Sequence, residues 1–443
     1  MLDLEPQLSS PQAAEPEAPL PPQPRCLRDT GLEQQLVVEL IAKTLYLNGK
    51  TQLPVLTTRL RLSINVLREV LDFMVAEQVA EVSWRGDSDI DVQYQLTAAG
   101  KLRAAAWLER CSYTGPAPVP LDAWRMTVER QSDQAPAPQA DELAAELADD
   151  FLPPAVQDLL GAALYARRSI LLHGLPGSGK TTLARKLGAL QRGLVALPYA
   201  VVVGQDIIQL HDPAVHLPPT ARQSQQMRQA LERRSSDIRW TLCQRPVVAL
   251  GAELCAEMLE LQFDAASGCH QAPPQMKANN GVFIIDDLGQ QRMSAPALMN
   301  RLSAPLGQGR DLLSLQGGQK FVTPFRAQLV LATSCAPQSL LDASTLRRLG
   351  YKIEVGPLND AAYRLLFRQQ CRAAGVVFDD AALRYLVEEL HAGSGQALLA
   401  SYPREILSRI TDFAGYAGEP PRLTVAALDQ AWLSMFAACE GVS

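Results

Sequence analysis

One octapeptide constrains this chain more than any other feature: Gly174-Leu175-Pro176-Gly177-Ser178-Gly179-Lys180-Thr181. It matches the pattern G-x-x-x-x-G-K-[ST] in full. An apolar run at 169–173 precedes it, and a helix-like run beginning Thr181-Thr182 follows. In that context backbone N–H groups can turn inward around a phosphate, because glycine has no Cβ to clash. The helix N-terminus adds positive potential. Lys180 is suited to the outer phosphates and the Thr181 hydroxyl to a magnesium ion. The candidate nucleotide-binding residues are therefore Gly174, Leu175, Pro176, Gly177, Ser178, Gly179, Lys180, Thr181 and Thr182. The implied ligands are ATP and Mg2+. The competing reading is a chance glycine-rich turn, and the flanking strand and helix patterns count against it.

A second apolar run, 281–285, ends in Asp286-Asp287. A buried strand ending in adjacent carboxylates calls for positive charge nearby. Asp286 fits a magnesium ligand, which with Thr181 gives the candidate metal set. Asp287 sits where a base would orient an attacking water. The bland alternative is a strand-end turn with two solvated acids. Further short apolar runs at 170–172, 201–203, 247–250 and 328–332 alternate with helical patterns, as in a parallel sheet covered on both faces.

At this point the chain resembles the AAA+ ATPases. The run Gln328-Leu329-Val330-Leu331-Ala332-Thr333-Ser334 is similar to the family's sensor strand, so Thr333 and Ser334 become candidate sensors. Arg347 and Arg348, after a short helix, resemble the arginine-finger region. Arg404, in the run Tyr402-Pro403-Arg404-Glu405, resembles the arginine of the family's helical lid. Two residues depart from the pattern: Asp287 stands in place of the usual Glu, and Ser334 in place of the usual Asn. Both departures bear on hydrolysis rate more than on binding. The segment before Asp286 is similar to the branch with an insertion in helix 2, which includes MoxR-like, magnesium-chelatase and enhancer-binding members. Within it, the KANNG and LRRxxYKIEV segments resemble bacterial predicted ATPases described as having chaperone-like activity. An arginine finger acting in trans implies catalytic sites shared between subunits, hence a closed homo-oligomeric ring, a hexamer by the resemblance. Such a finger accelerates hydrolysis by about 10³ to 10⁵.

The resemblance implies an α/β P-loop NTPase (AAA+) core with a parallel sheet and a C-terminal helical lid, and the front of the chain, read as three helices, a hairpin and a further helix, resembles a winged-helix-like domain. The expected organisation is a disordered Pro-rich tail over 1–26, a winged-helix-like domain over 27–111 and a Pro- and Ala-rich linker over 112–142. The core follows over 143–357, with an insertion near 205–275, and the lid over 358–443. A polar helix is expected over 223–239 and an apolar helix over 254–261, ending at Phe263.

Composition narrows the partners. A net charge of −6, from 41 basic and 47 acidic residues, gives no whole-chain case for nucleic acid. The front domain pairs Arg68 with Glu69 and Asp72, and its expected wing carries Asp87, Asp89 and Asp91, the wrong sign for phosphates. Arg59, Arg61, Arg85, Lys101 and Arg103 are the residues that would serve DNA instead. The eight cysteines are scattered without a CxxC pair, against a zinc site or a disulfide framework. Cys269-His270 reads as loop. No apolar run is long enough to span a membrane, and the start lacks a signal-peptide pattern, so the expected location is cytoplasmic. The expectation is an ATPase remodelling or assembling protein partners; a DNA-binding regulator and a nucleotide-gated scaffold are the alternatives.

Overall fold

A computed structural model describes residues 20–88, 90–136, 138–221, 223–224 and 235–436. Most of the expected tail, Asp89, most of the expected polar helix at 223–239, and Cys439 lie outside the described residues. Contacts divide the chain into two compact units.

One unit comprises Val128–Gly193, Arg245–Gln262 and the described residues from Ala272 onward. Its centre is a five-stranded sheet in the order Val247–Leu250, Val282–Ile285, Gln328–Thr333, Ile170–His173, Tyr351–Glu354. Every neighbouring pair is parallel. The strands Val282–Ile285 and Gln328–Thr333 are buried at every position, which explains the apolar runs at 282–285 and 329–332. Leu160 and Leu164 of helix Pro154–Tyr165, and Leu183 and Leu187 of helix Lys180–Ala189, join Ile170, Leu172, Ile284, Val330 and Ile353 in one core. This is an α/β core built on a parallel sheet, with a helical C-terminal region.

That C-terminal region follows the helical spacing of its sequence. Helices Asp360–Ala374, Asp380–Tyr385, Tyr402–Ala417 and Val425–Phe436 bury Tyr363, Phe367, Leu383, Ile406, Ile410, Leu428 and Trp432 together. Asn359 caps the first by accepting the Ala362 N–H at 2.8 Å, and Gly375 ends it with φ +67°. A wide π-turn, Leu386–His391, interrupts the second. There Tyr363 and His391 are hydrogen-bonded at 2.9 Å.

The other unit combines described residues up to Thr127 with Leu194–Gln244 and Phe263–Gln271. Helices Gln34–Asn48, Leu53–Leu60 and Ile64–Ala76 precede the antiparallel pair Ala80–Arg85 and Val92–Leu96, and helix Ala98–Arg110 follows. Ser63 caps the third helix, accepting from the Val66 N–H. A second sheet, order Gln262–Asp264, Cys269–Gln271, Asp206–Gln209, Ala200–Val203, Val119–Pro120, contributes Ala200, Ile207 and Cys269 to the same core as Leu40, Leu56 and Leu67.

Several local expectations are corrected. The run at 201–203 is a strand, but it pairs antiparallel with Asp206–Gln209, outside the parallel sheet. Tyr351–Glu354 takes the fifth place there instead. Residues 112–142, expected as linker, contain helix Leu121–Asp133 with Trp124 fully buried; the prolines around it hid an apolar face at Trp124 and Val128. The expected apolar helix at 254–261 is a single 3-10 turn, Ala256–Leu259. Arg301 explains the interruption, since its guanidinium takes the Leu259 carbonyl and the Glu260 carboxylate. Cys269 and His270 lie in a strand rather than a loop. Phe263 is also in a strand, with its ring edge-on to His270. Among the described residues no helix is long and apolar enough to cross a membrane.

Candidate functional site

Strand Ile170–His173 delivers the glycine-rich loop, and helix Lys180–Ala189 leaves it. Gly177 and Gly179 have φ +80° and +97°, which L side chains rarely adopt. At Gly177 a Cβ would also lie 2.5 Å from Ser401 Oγ. Lys180 is buried, and its ammonium donates to the carbonyls of Gly174 at 3.0 Å and Leu175 at 2.7 Å. Burial pulls its proton affinity below the usual lysine range, and the nearby Asp287 and Asp286 carboxylates oppose that shift. The cation of the loop and the two acids of the later strand thus share one neighbourhood. Ser178 Oγ is buried with no hydrogen-bond partner. Leu175, Pro176 and Thr182 are exposed.

The acids are held from below. Strand Val282–Ile285 ends at half-buried Asp286, whose N–H donates to Leu250 O at 2.8 Å. Thr181 Oγ1 donates to Asp286 Oδ1 at 3.0 Å, joining residues 105 apart in sequence. Asp287 is exposed, with φ +50°, a strained value for a residue that is not glycine. Gln291 holds this turn: its Nε2 donates to Asp286 O at 2.7 Å and Asp287 O at 3.1 Å, while its Oε1 accepts from the Gly289 N–H at 2.8 Å. Sequence reasoning missed Gln291, because a lone Gln in a polar loop belongs to no motif.

Of the two candidate sensors, Thr333 is buried and committed. Its hydroxyl donates to Leu288 O at 2.8 Å and accepts from the Cys335 N–H at 3.1 Å. Ser334 is half-buried, and its hydroxyl makes no hydrogen bond among the described residues. The three candidate arginines stand apart. Arg347 and Arg348 end helix Ala343–Arg348, and Arg404 lies in the first turn of helix Tyr402–Ala417. All three are exposed, and among the described residues none makes an ion pair. Among the described residues no hydrogen bond links them to the loop or the acids. The helical region instead reaches the loop through its backbone: the Ser401 N–H donates to Gly177 O at 3.0 Å.

The arrangement fits a magnesium–triphosphate group. It offers a buried ammonium, an orphaned buried hydroxyl, glycine-lined backbone, and a hydroxyl and carboxylate 3.0 Å apart. The C-terminal helical region matches a family model. That model is described as "Domain of unknown function (DUF8689)", and it covers residues 359–434. No curated protein matches the chain. Among solved structures, the chain is similar to the RuvB Holliday junction branch migration motor of Thermotoga maritima, at 14% identity and a TM-score of 0.36 over 66% of this chain and 72% of that one. It is similar also to NtrX from Brucella abortus in complex with ATP, at 14% identity and a TM-score of 0.38 over 75% and 69%.

Proposed function

We propose that this chain is an AAA+ ATPase that binds and hydrolyses ATP with Mg2+ and remodels or assembles protein partners as a ring of identical subunits. The observation that carries the reading is the bond from Thr181 to Asp286 beside Lys180, which unites the two sequence motifs in one place. Thr181 and Asp286 would hold the magnesium ion, which when bound neutralises charge on the phosphates. Residues 174–182 would cradle the phosphates, with Lys180 and Ser178 as donors. Asp287 would accept a proton from the attacking water, in a turn fixed by Gln291. Ser334 would sense the outer phosphate, with Thr333 bracing the turn. Arg347 or Arg348 would reach a neighbouring subunit, and Arg404 would answer nucleotide from the lid; their lack of acidic partners supports this.

The front unit's helices and antiparallel pair support a winged-helix-like reading. We assign it to protein docking rather than DNA. Arg59 is hydrogen-bonded to Asn48 at 3.0 Å, and the Arg61 guanidinium lies over the Tyr199 ring at 5.6 Å, so two of the five DNA-suited cations already have internal contacts.

The test is steady-state ATPase activity against protein concentration, with mass by light scattering with and without ATP. Specific activity should rise as a ring assembles and fall by about 10³ or more in Arg347→Ala or Arg348→Ala. A monomer with tight ATP binding and flat, negligible turnover would overturn the motor and leave the nucleotide-gated scaffold, the reading favoured by the shorter Asp287.

A further inference from the structure

We propose that Cys111 and Cys269 are a peroxide-sensitive thiol pair, primed by the buried ammonium of Lys43, that closes to a disulfide within the front unit. The inference does not rest on nucleotide binding.

Three chain segments converge here. Cys111 terminates helix Ala98–Arg110, and Cys269 begins strand Cys269–Gln271. Both thiols flank Ser267: Cys111 Sγ donates to its carbonyl at 3.8 Å, and Cys269 Sγ lies 3.1 Å from its hydroxyl. The Ser112 N–H donates to the same Ser267 carbonyl at 3.0 Å, so the backbones are paired. Gly268 permits that approach, since a Cβ there would lie 2.8 Å from the Cys111 Cα and its φ is +60°. A disulfide needs Cα atoms within about 4.4–6.8 Å, a reach that suits backbones in direct contact.

The third segment supplies charge. Lys43 in helix Gln34–Asn48 is 2% exposed, and its ammonium donates to Cys111 O at 3.1 Å. Glu39, one turn back, is bonded to Arg110 instead, and among the described residues Lys43 makes no ion pair. Both thiols lie within its electrostatic reach. Burial lowers the proton affinity of Lys43, and the Cys111, Glu39 and Cys269 groups oppose that shift, so the ammonium and a negative sulfur beside it support each other. Cys111 is half-buried and Cys269 buried, so Cys111 is the group that meets oxidant and Cys269 the group that resolves it; burial also pushes the Cys269 thiol up.

The chemistry balances with hydrogen peroxide as oxidant. The Cys111 thiolate attacks one peroxide oxygen and breaks the O–O bond, giving a sulfenic acid and a hydroxide that takes up the thiol proton as water. The Cys269 sulfur then attacks the Cys111 sulfur, forming the S–S bond. The second hydroxide leaves and takes the Cys269 proton. Two thiols are oxidised and one peroxide becomes two waters.

The experiment treats the full chain with hydrogen peroxide, alkylates remaining thiols, and maps disulfides by mass spectrometry without reduction. A Cys111–Cys269 link should be the first to form. Cys269→Ser should leave Cys111 as a sulfenic acid that dimedone traps. Lys43→Gln should slow the link about tenfold. Oxidation of other cysteines while Cys111 and Cys269 stay unlinked in the native chain would overturn the pair, whatever Lys43→Gln does to folding. An unchanged rate in a folded Lys43→Gln chain would overturn the priming.

Discussion

Two sites, one in each unit, treat their charged groups in opposite ways. In the front unit Arg239, 4% exposed, takes both oxygens of Asp237 and the carbonyls of Thr30 and Pro118. That guanidinium is answered inside the fold, as expected of a group whose work is to hold segments together. Around the phosphate loop of the other unit the pairing is left open. Lys180 settles on two loop carbonyls, Ser178 Oγ has no partner, and Arg347, Arg348 and Arg404 have no acid among the described residues. Buried polarity that is closed stabilises; buried polarity that is open waits for a ligand. His270 qualifies the contrast, since both its ring nitrogens are buried without a hydrogen bond in the front unit.

The largest expected effect tests the open side. Lys180→Ala should remove ATP binding altogether in calorimetry, while thermal unfolding of the apo chain stays near wild type. Tight binding in that variant would mean that the lysine is structural after all. Next, Asp287→Asn should keep binding and lower turnover by about 10²–10⁴ in a phosphate-release assay. Unchanged turnover would remove Asp287 from the mechanism. On the closed side, Arg239→Ala should cost about 3–5 kcal/mol in urea unfolding, because Asp237 stays buried without its partner. A loss well under 1 kcal/mol would erase the distinction between the two sites. The smallest effect is the sharpest: Gln291→Ala should lower kcat about tenfold with nucleotide affinity unchanged, since it loosens the turn that carries Asp287 and touches no phosphate donor. An equal loss in affinity would assign Gln291 to binding instead.

What the sequence determined by itself is local. Strand, loop and helix around Lys180 follow from an apolar run, glycines able to adopt positive φ, and a helix start, all within about twenty residues. The strand ending at Asp286 and the helical character of the C-terminal region were legible for the same reason: each periodicity is written in adjacent residues. Tertiary structure alone decided which strand lies beside which. The run at 201–203 is all valine and Tyr351–Glu354 carries Lys352 and Glu354, yet only Tyr351–Glu354 enters the parallel sheet. A strand carries its own pleat but not its neighbour, because that choice is made by packing and hydrogen bonds to residues far along the chain. The same limit hid Gln291 and the meeting of Lys43, Cys111 and Cys269. Those groups act through contacts between segments that no spacing in sequence encodes.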